Sequence, residues 1–219
     1  MALSHTKQPP AAHATGTRHF SMVRDFQLAD FFTLTNAACG VASVLLAMRF
    51  LLSGDVAHFW WAAAMAPAAL MFDVLDGRVA RWRQQASILG RELDSLADVI
   101  SFGVGPATLA FAAGLQGGWD AVALTYFVCC GVSRLARFNV TAETLSAGGD
   151  KVKYFEGTPI PTSVALTGVL ALAMGQGAVG DALWGGAWQL GPWVLHPLAL
   201  LFVLSGTLMA SKTLRIPKL

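Results

Sequence analysis

The sequence predicts an all-α polytopic membrane protein, with six transmembrane helices preceded by a short N-terminal interfacial helix. Three observations carry that class. Of 219 residues, 55% are hydrophobic and 13% charged, which leaves too little polar surface for a soluble domain of this length. The apolar residues gather into six runs, at 31–53, 58–81, 93–115, 119–140, 161–180 and 193–210, each close to the ~20 helical residues that cross a hydrocarbon core of about 30 Å. The basic residues fall on alternate connections between the runs, the pattern of a chain threading back and forth through a bilayer.

Residues 1–20, "MALSHTKQPPAAHATGTRHF", hold a Pro-Pro pair and small polar residues without a continuous apolar stretch. They read as a mobile tail and not as a secretory signal. Residues 21–219 then form one membrane domain. Its opening segment, "SMVRDFQLAD", mixes Met22, Val23, Phe26 and Leu28 with Arg24 and Asp25, which suits either a helix lying in the interface or a simple polar lead-in.

Orientation follows from the loops. The connections near Asp55, at 116–119 and at 181–192 contain no Lys or Arg, whereas Arg83, Arg91, Lys151, Lys153, Lys212, Arg215 and Lys218 lie on the other side. Both termini and the second and fourth loops are therefore expected to face the cytoplasm. Arg49, near the outer end of the first run, can snorkel outward along its own stem.

The net charge is +2 and the basic residues are sorted by membrane side instead of forming a stripe, so nucleic acid is not an expected partner. Cys39, Cys129 and Cys130 fall within apolar runs without metal-ligand spacing and read as packing residues.

The chemistry concentrates in "MFDVLDGRVARWRQQASILGRELDSLAD", residues 71–98. Asp73 and Asp76 are three apart, and Asp94 and Asp98 four apart, so on helices each pair projects from one face. Two facing helices would present all four carboxylates to one space at the cytoplasmic side. Like charges so placed repel, and cations relieve them. Oxygen ligands without Cys or His select hard divalent ions, Mg²⁺, Mn²⁺ or Ca²⁺, and four carboxylates suffice for two ions, an arrangement suited to displacement at phosphorus. Gly77 and Ala80 leave room beside Asp76, Gly90 opens the next run, and Arg78, Arg81, Arg83 and Arg91 offer phosphate-pairing forks. Salt bridges between helices would account for one Asp–Arg pair, but intramembrane acids in this number argue for a functional site.

The spacing Asp73-x₂-Asp76-Gly77-x₂-Ala80-Arg81-x₈-Gly90-x₃-Asp94-x₃-Asp98 resembles, without departure, the signature of the CDP-alcohol phosphatidyltransferases. The resemblance implies a six-helix, dimeric membrane enzyme that moves a phosphatidyl group from a CDP-activated lipid to an alcohol and releases CMP. It implies that Asp73, Asp76 and Asp94 bind metal, that Asp98 is both metal-associated and the general base, and that Asp76, Gly77, Ala80, Arg81 and Gly90 meet the CDP-lipid.

Four further stretches, "FTLTNAACG", "LDSLADVISFGVGPA", "SRLARFN" and "YFEGTPIPTS", look like the bacterial integral-membrane phosphatidylserine synthases, a branch of that family. The likeness covers most of residues 30–170. It implies CDP-diacylglycerol and L-serine as substrates, in a membrane-lipid setting, with a homodimer as the assembly. Val99 follows Asp98 where the glycerophosphate-using members usually carry lysine, which makes glycerol phosphate the weaker candidate; choline and inositol phosphate stay open as acceptors.

Serine carries a carboxylate and an ammonium group, so its pocket needs a cation and acceptors. Arg134 and Arg137 are three apart, with Asn139 following; they either receive serine's carboxylate or the transferring phosphate, or anchor the helix at the cytoplasmic face. Asn36, in the inner half of the first run, either lines the nucleotide or metal pocket or hydrogen-bonds between helices. Residues 141–161, with Gly148-Gly149, Pro159 and Pro161, form either a loop that closes over the headgroup or a passive connector. An ion-coupled transporter would show paired halves with broken helices, and no such repeat is visible in this chain. A membrane prenyltransferase would set its acidic clusters on more widely separated helices.

Overall fold

The computed structural model describes residues 28–83, 88–146, 154–211 and 215–217. The expected tail and most of the expected interfacial helix, residues 1–27, lie outside the described residues. The described chain is mostly helical. Helix α1 spans Leu28–Ser53, α2 Val56–Arg83 and α3 Ile88–Asp98. A π-helical turn, Val99–Val104, runs on from α3 into α4, Gly105–Ala113, and α5 spans Gly118–Ser146.

Four stretches, Ala29–Ser53, Val56–Val79, Leu89–Ala113 and Gly118–Thr141, are long and apolar enough to cross a membrane. They coincide with the first four predicted spans to within a few residues. The remaining two spans differ from expectation. The fifth is a shorter apolar helix, Ile160–Gly175, made of a 3₁₀ turn at Ile160–Ser163 followed by α6, Val164–Gly175. Gly177 and Gly180, at φ +70° and +57°, end it earlier than composition suggests, because positive φ is incompatible with helix continuation.

The sixth predicted span opens not as helix but as strand. β2, Trp188–Leu190, pairs antiparallel with β3, Trp193–Leu195, in the register Trp188↔Leu195 and Leu190↔Trp193. Gly191 takes φ +65° at the first position of the two-residue turn, the slot that hairpin turns reserve for glycine. Only then does α7 form, over Ala199–Ala210; its 12 residues span roughly 18 Å at 1.5 Å each. The fourth connection also begins later than expected, since α5 continues to Ser146. Beyond it, β1, Tyr154–Glu156, pairs antiparallel with β4, Arg215–Pro217.

Helix α1 packs as membrane helices often do, with small residues inside and large apolar ones outside. On α1 the buried positions are Asp30, Thr33, Asn36, Gly40, Ser43 and Ala47, while Phe31, Leu34, Leu45 and Met48 are exposed. This inversion lets α1 lie close to its neighbours: a Cβ on Gly40 would sit 2.7 Å from Ser101 Cα, so only glycine allows the π turn to approach. Ser101 Oγ donates to the Asn36 carbonyl at 2.8 Å, and Ser43 Oγ to the Ala62 carbonyl at 3.0 Å. Phe127 of α5 meets Phe202 of α7 edge to face at 5.3 Å, which joins those helices through quadrupole-matched rings.

In the first turn of α5, the fully buried Asp120 holds the hairpin in place. Its carboxylate accepts from the backbone N–H groups of Gly117 and His196, both at 2.8 Å, and meets His196 Nδ1 at 2.6 Å. Trp119 Nε1 donates to the Leu190 carbonyl at 3.0 Å, and its ring stacks edge-on with Trp193.

Candidate active site

The first site residues come from α2. Asp73 and Asp76 lie one turn apart on its last third, and α3 supplies Asp94 and Asp98 one turn apart at its end. The two helices bring carboxylate oxygens of Asp73, Asp76 and Asp94 to within 4.8 Å of one another. Asp98 stands next along α3, buried, with Oδ1 accepting from Asn36 Nδ2 at 3.3 Å. Thr33 Oγ1 donates to Asp76 Oδ2 at 2.9 Å. Thus α1 supplies donors to one acid on each of the facing helices.

The acids are close enough for their charges to act on one another, and the charge of Asp30 also reaches Asp76. Such a cluster is held together by the fold against its own repulsion. Asp94 Oδ1, Arg91 Nε, Arg134 Nε and Asn36 Oδ1 are buried and have no hydrogen-bond partner among the described residues. Buried polar atoms are normally paired, and two of these atoms, Asp94 Oδ1 and Arg134 Nε, belong to residues within electrostatic reach of Asp98.

The basic residues divide. Arg134 is half-buried and lies within electrostatic reach of Asp98. Arg137, by contrast, donates from Nη2 to the Ala210 carbonyl at 3.2 Å and from Nε to the Ser133 carbonyl at 3.4 Å. It closes the C-terminal end of α7, satisfying a carbonyl that helix geometry leaves free. Asn139 is likewise engaged: Nδ2 donates to Glu92 Oε2 at 3.1 Å and to Ser95 Oγ at 3.0 Å. Arg78 and Arg81 are exposed, and the Arg81 guanidinium lies 3.8 Å from where a Gly77 Cβ would be. Gly77 therefore leaves the α2 backbone open beside Asp76. Gly90 sits half-buried in the first turn of α3. The side chains of Ala80 and Arg83 lie outside the described residues.

Asn36 is bonded to Asp98 across the helices and has no exposed surface. Sequence reasoning did not single out Asp30, Thr33 or Ser101. The signal for Asp30 and Thr33 is the recurrence of polar and small residues at 30, 33, 36, 40 and 43, a helical stripe in an otherwise apolar run. The Asp120–His196 pair was also missed, since 76 residues separate its members.

A polytopic helical bundle that sinks carboxylates of two helices into one half-buried cluster defines a class, the integral-membrane proteins with an acidic site inside the bundle. Within that class the chain belongs to the CDP-alcohol phosphatidyltransferase family, whose pattern it matches over residues 26–205. It is 43% identical over 203 residues to the CDP-diacylglycerol–serine O-phosphatidyltransferase of Saccharomyces cerevisiae, covering 91% of this chain and 74% of that protein. It is 42% identical over 144 residues to the Mycobacterium leprae protein of the same name, covering 64% of this chain and 46% of that one. To the archaetidylserine synthase of Methanothermobacter thermautotrophicus it is 38% identical over 139 residues, covering 62% of this chain and 54% of that one.

Proposed function

We propose that this chain transfers the phosphatidyl group of CDP-diacylglycerol to L-serine, giving phosphatidylserine and CMP. The observation that carries the reading is the convergence of Asp73, Asp76 and Asp94 within 4.8 Å, with Asp98 and Arg134 beside them, in a chain of this family. The names of the relatives support serine in particular. The yeast and archaeal proteins are named for different lipids, diacylglycerol and archaetidyl, yet for the same acceptor.

The donor set fits two hard divalent ions, Mg²⁺ or Mn²⁺, because it consists of carboxylates alone and Asp94 Oδ1 has no other partner among the described residues. Asp73, Asp76, Asp94 and Asp98 would hold them. When bound, such ions stabilise the charge of the attacking and leaving oxygens in an in-line displacement. The chain's own residues do the rest. Asp98 accepts the proton of the serine hydroxyl as that oxygen bonds to the lipid-bearing phosphorus. The bond from that phosphorus to the CMP oxygen breaks, and CMP leaves with the electron pair. Arg134 supplies a fork for serine's carboxylate or the transferring phosphate, and Arg91 a second cation at the rim. Arg81 and the open backbone at Gly77 receive the CDP-lipid, with Ala80 and Gly90 flanking it. Among the described residues no histidine or cysteine stands in the cluster, which supports direct attack by serine over a phosphatidyl-enzyme intermediate.

In this reading the 3₁₀ turn together with α6, and the segment from β3 together with α7, make the fifth and sixth crossings, and the site and both termini face the cytoplasm, supported by the distribution of Lys and Arg. Homodimerisation enters from the family resemblance. The test is CMP release by purified protein given CDP-diacylglycerol and Mn²⁺, with serine, choline, inositol phosphate or glycerol phosphate supplied singly. Release that depends on serine supports the reading, and release driven better by another alcohol overturns the acceptor.

A further inference from the structure

We propose that Asn36 is a positioning residue for Asp98, acting through the donated amide N–H and not through contact with the nucleotide. The inference rests on the reading of Asp98 as the group that takes the serine proton. Its support is geometric. Asn36 has no exposed surface, so no ligand reaches its side chain in this conformation. Its Nδ2 donates to Asp98 Oδ1 at 3.3 Å, while its own Oδ1 is buried without a partner among the described residues. A buried amide that leaves its oxygen unmet is placed for what its nitrogen does. With Asp98 ionised, reversing the amide would set oxygen against a carboxylate oxygen, so the hydrogen-bond network assigns the N–H to Asp98.

The residue is also held from behind. Ser101 Oγ donates to the Asn36 carbonyl at 2.8 Å, and Ser101 lies on the π turn that begins directly after Asp98. Gly40, one helical turn further along α1, lets that π turn close in. Side chain and backbone of Asn36 thus grip the same element on both sides of the Asp98–Val99 junction. The Asn36 N–H uses one lone pair of Asp98 Oδ1 and fixes the rotation of the carboxylate, which sets the direction of its remaining acceptor sites. A base must lie within hydrogen-bond reach of the proton that it takes, and a small misplacement of such a group lowers turnover steeply.

The experiment compares Asn36→Leu, Asn36→Ala and Asn36→Gln with the parent in detergent, reading kcat, the KM for serine, the KM for CDP-diacylglycerol and the melting temperature. Leu keeps the volume and removes the donor, Ala removes both, and Gln keeps a donor on a longer arm. A positioning role predicts that Leu and Ala each lower kcat by about 10- to 100-fold, with both KM values within about twofold of the parent, and that Gln retains more turnover than either. A structural role alone would lower the melting temperature and the active fraction without this split. The proposal is overturned if kcat per folded enzyme is unchanged, or if the main effect is a raised KM for CDP-diacylglycerol, which would make Asn36 a nucleotide contact. A parent enzyme that releases no CMP with serine would instead refute the underlying reading, and this is seen before any variant is made. Should the Leu variant fail to insert, Ala and Gln still decide the question.

Discussion

Thr33 Oγ1 on α1 donates to Asp76 Oδ2 on α2 at 2.9 Å, joining positions 43 residues apart. Thr33 is buried, so the bond fixes one oxygen of a cluster carboxylate from a third helix. Hydrogen bonds to charged groups contribute about 1.5–3 kcal/mol. Thr33→Val keeps the shape and deletes the donor. The variant is expected to insert normally and to need roughly tenfold more Mn²⁺ for half-maximal CMP release. A titration of activity against free Mn²⁺ reads this directly, and an unchanged midpoint would detach Thr33 from the site.

Asp73, Asp76 and Asp94 share one cluster, whereas Asp98 stands beside it on Asn36. Asp73→Asn, Asp76→Asn and Asp94→Asn should each weaken divalent-ion binding and abolish divalent-dependent CMP release. Asp98→Asn should still bind CDP-diacylglycerol and lose kcat by about 10²-fold or more. Mn²⁺ binding by electron spin resonance, measured beside turnover, separates the two classes; identical behaviour of all four variants would remove the special role of Asp98.

The two arginines of α5 should also part company. Arg134→Lys replaces a planar fork with a point charge at a half-buried position near Asp98, and the serine KM should rise about tenfold. Arg137 bonds the Ala210 carbonyl, so Arg137→Lys should lower the melting temperature and leave the serine KM alone. A raised serine KM in Arg137→Lys, with Arg134→Lys unaffected, would reverse the assignment.

Asp120 lies about 20 Å from Arg134 along α5, at 1.5 Å per residue. Asp120→Ala strips partners from the backbone N–H groups of Gly117 and His196 and from the His196 ring. Unmet buried groups cost about 1–3 kcal/mol each, so denaturation should show a loss of roughly 3 kcal/mol or more. Both KM values should stay within about twofold, and an equal loss of kcat without destabilisation would contradict a purely structural role.

Much of this was legible in the residues. Four long apolar runs set four helices, because a span must satisfy its backbone internally, and intramembrane acids at i, i+3 and i, i+4 marked the site. What a sequence does not display is which helix stands opposite. Arg137 and Asn139 look alike as cytoplasmic-end polar residues beside Arg134, yet Arg137 reaches Ala210, 73 residues on, and Asn139 reaches α3. The hairpin at 188–195 was hidden for a different reason: its apolar strand β3 abuts an apolar helix, and short apolar runs carry no period that separates strand from helix. The polar stripe of α1 was readable in principle, but only Asn36 drew notice, since Thr and Ser can satisfy themselves on their own helix and Asn cannot do so as easily.

The most direct measurement follows radiolabelled serine into lipid. Purified protein would be given CDP-diacylglycerol and Mn²⁺, and compared with the same protein in EDTA and with Asp94→Asn, whose carboxylate belongs to the cluster. The account predicts labelled phosphatidylserine formed in equal amount to the CMP released, lost in EDTA, restored by Mn²⁺ or Mg²⁺, and lost beyond rescue in the variant. Label entering lipid undiminished in EDTA or in Asp94→Asn, or CMP released with no serine incorporated, would contradict it.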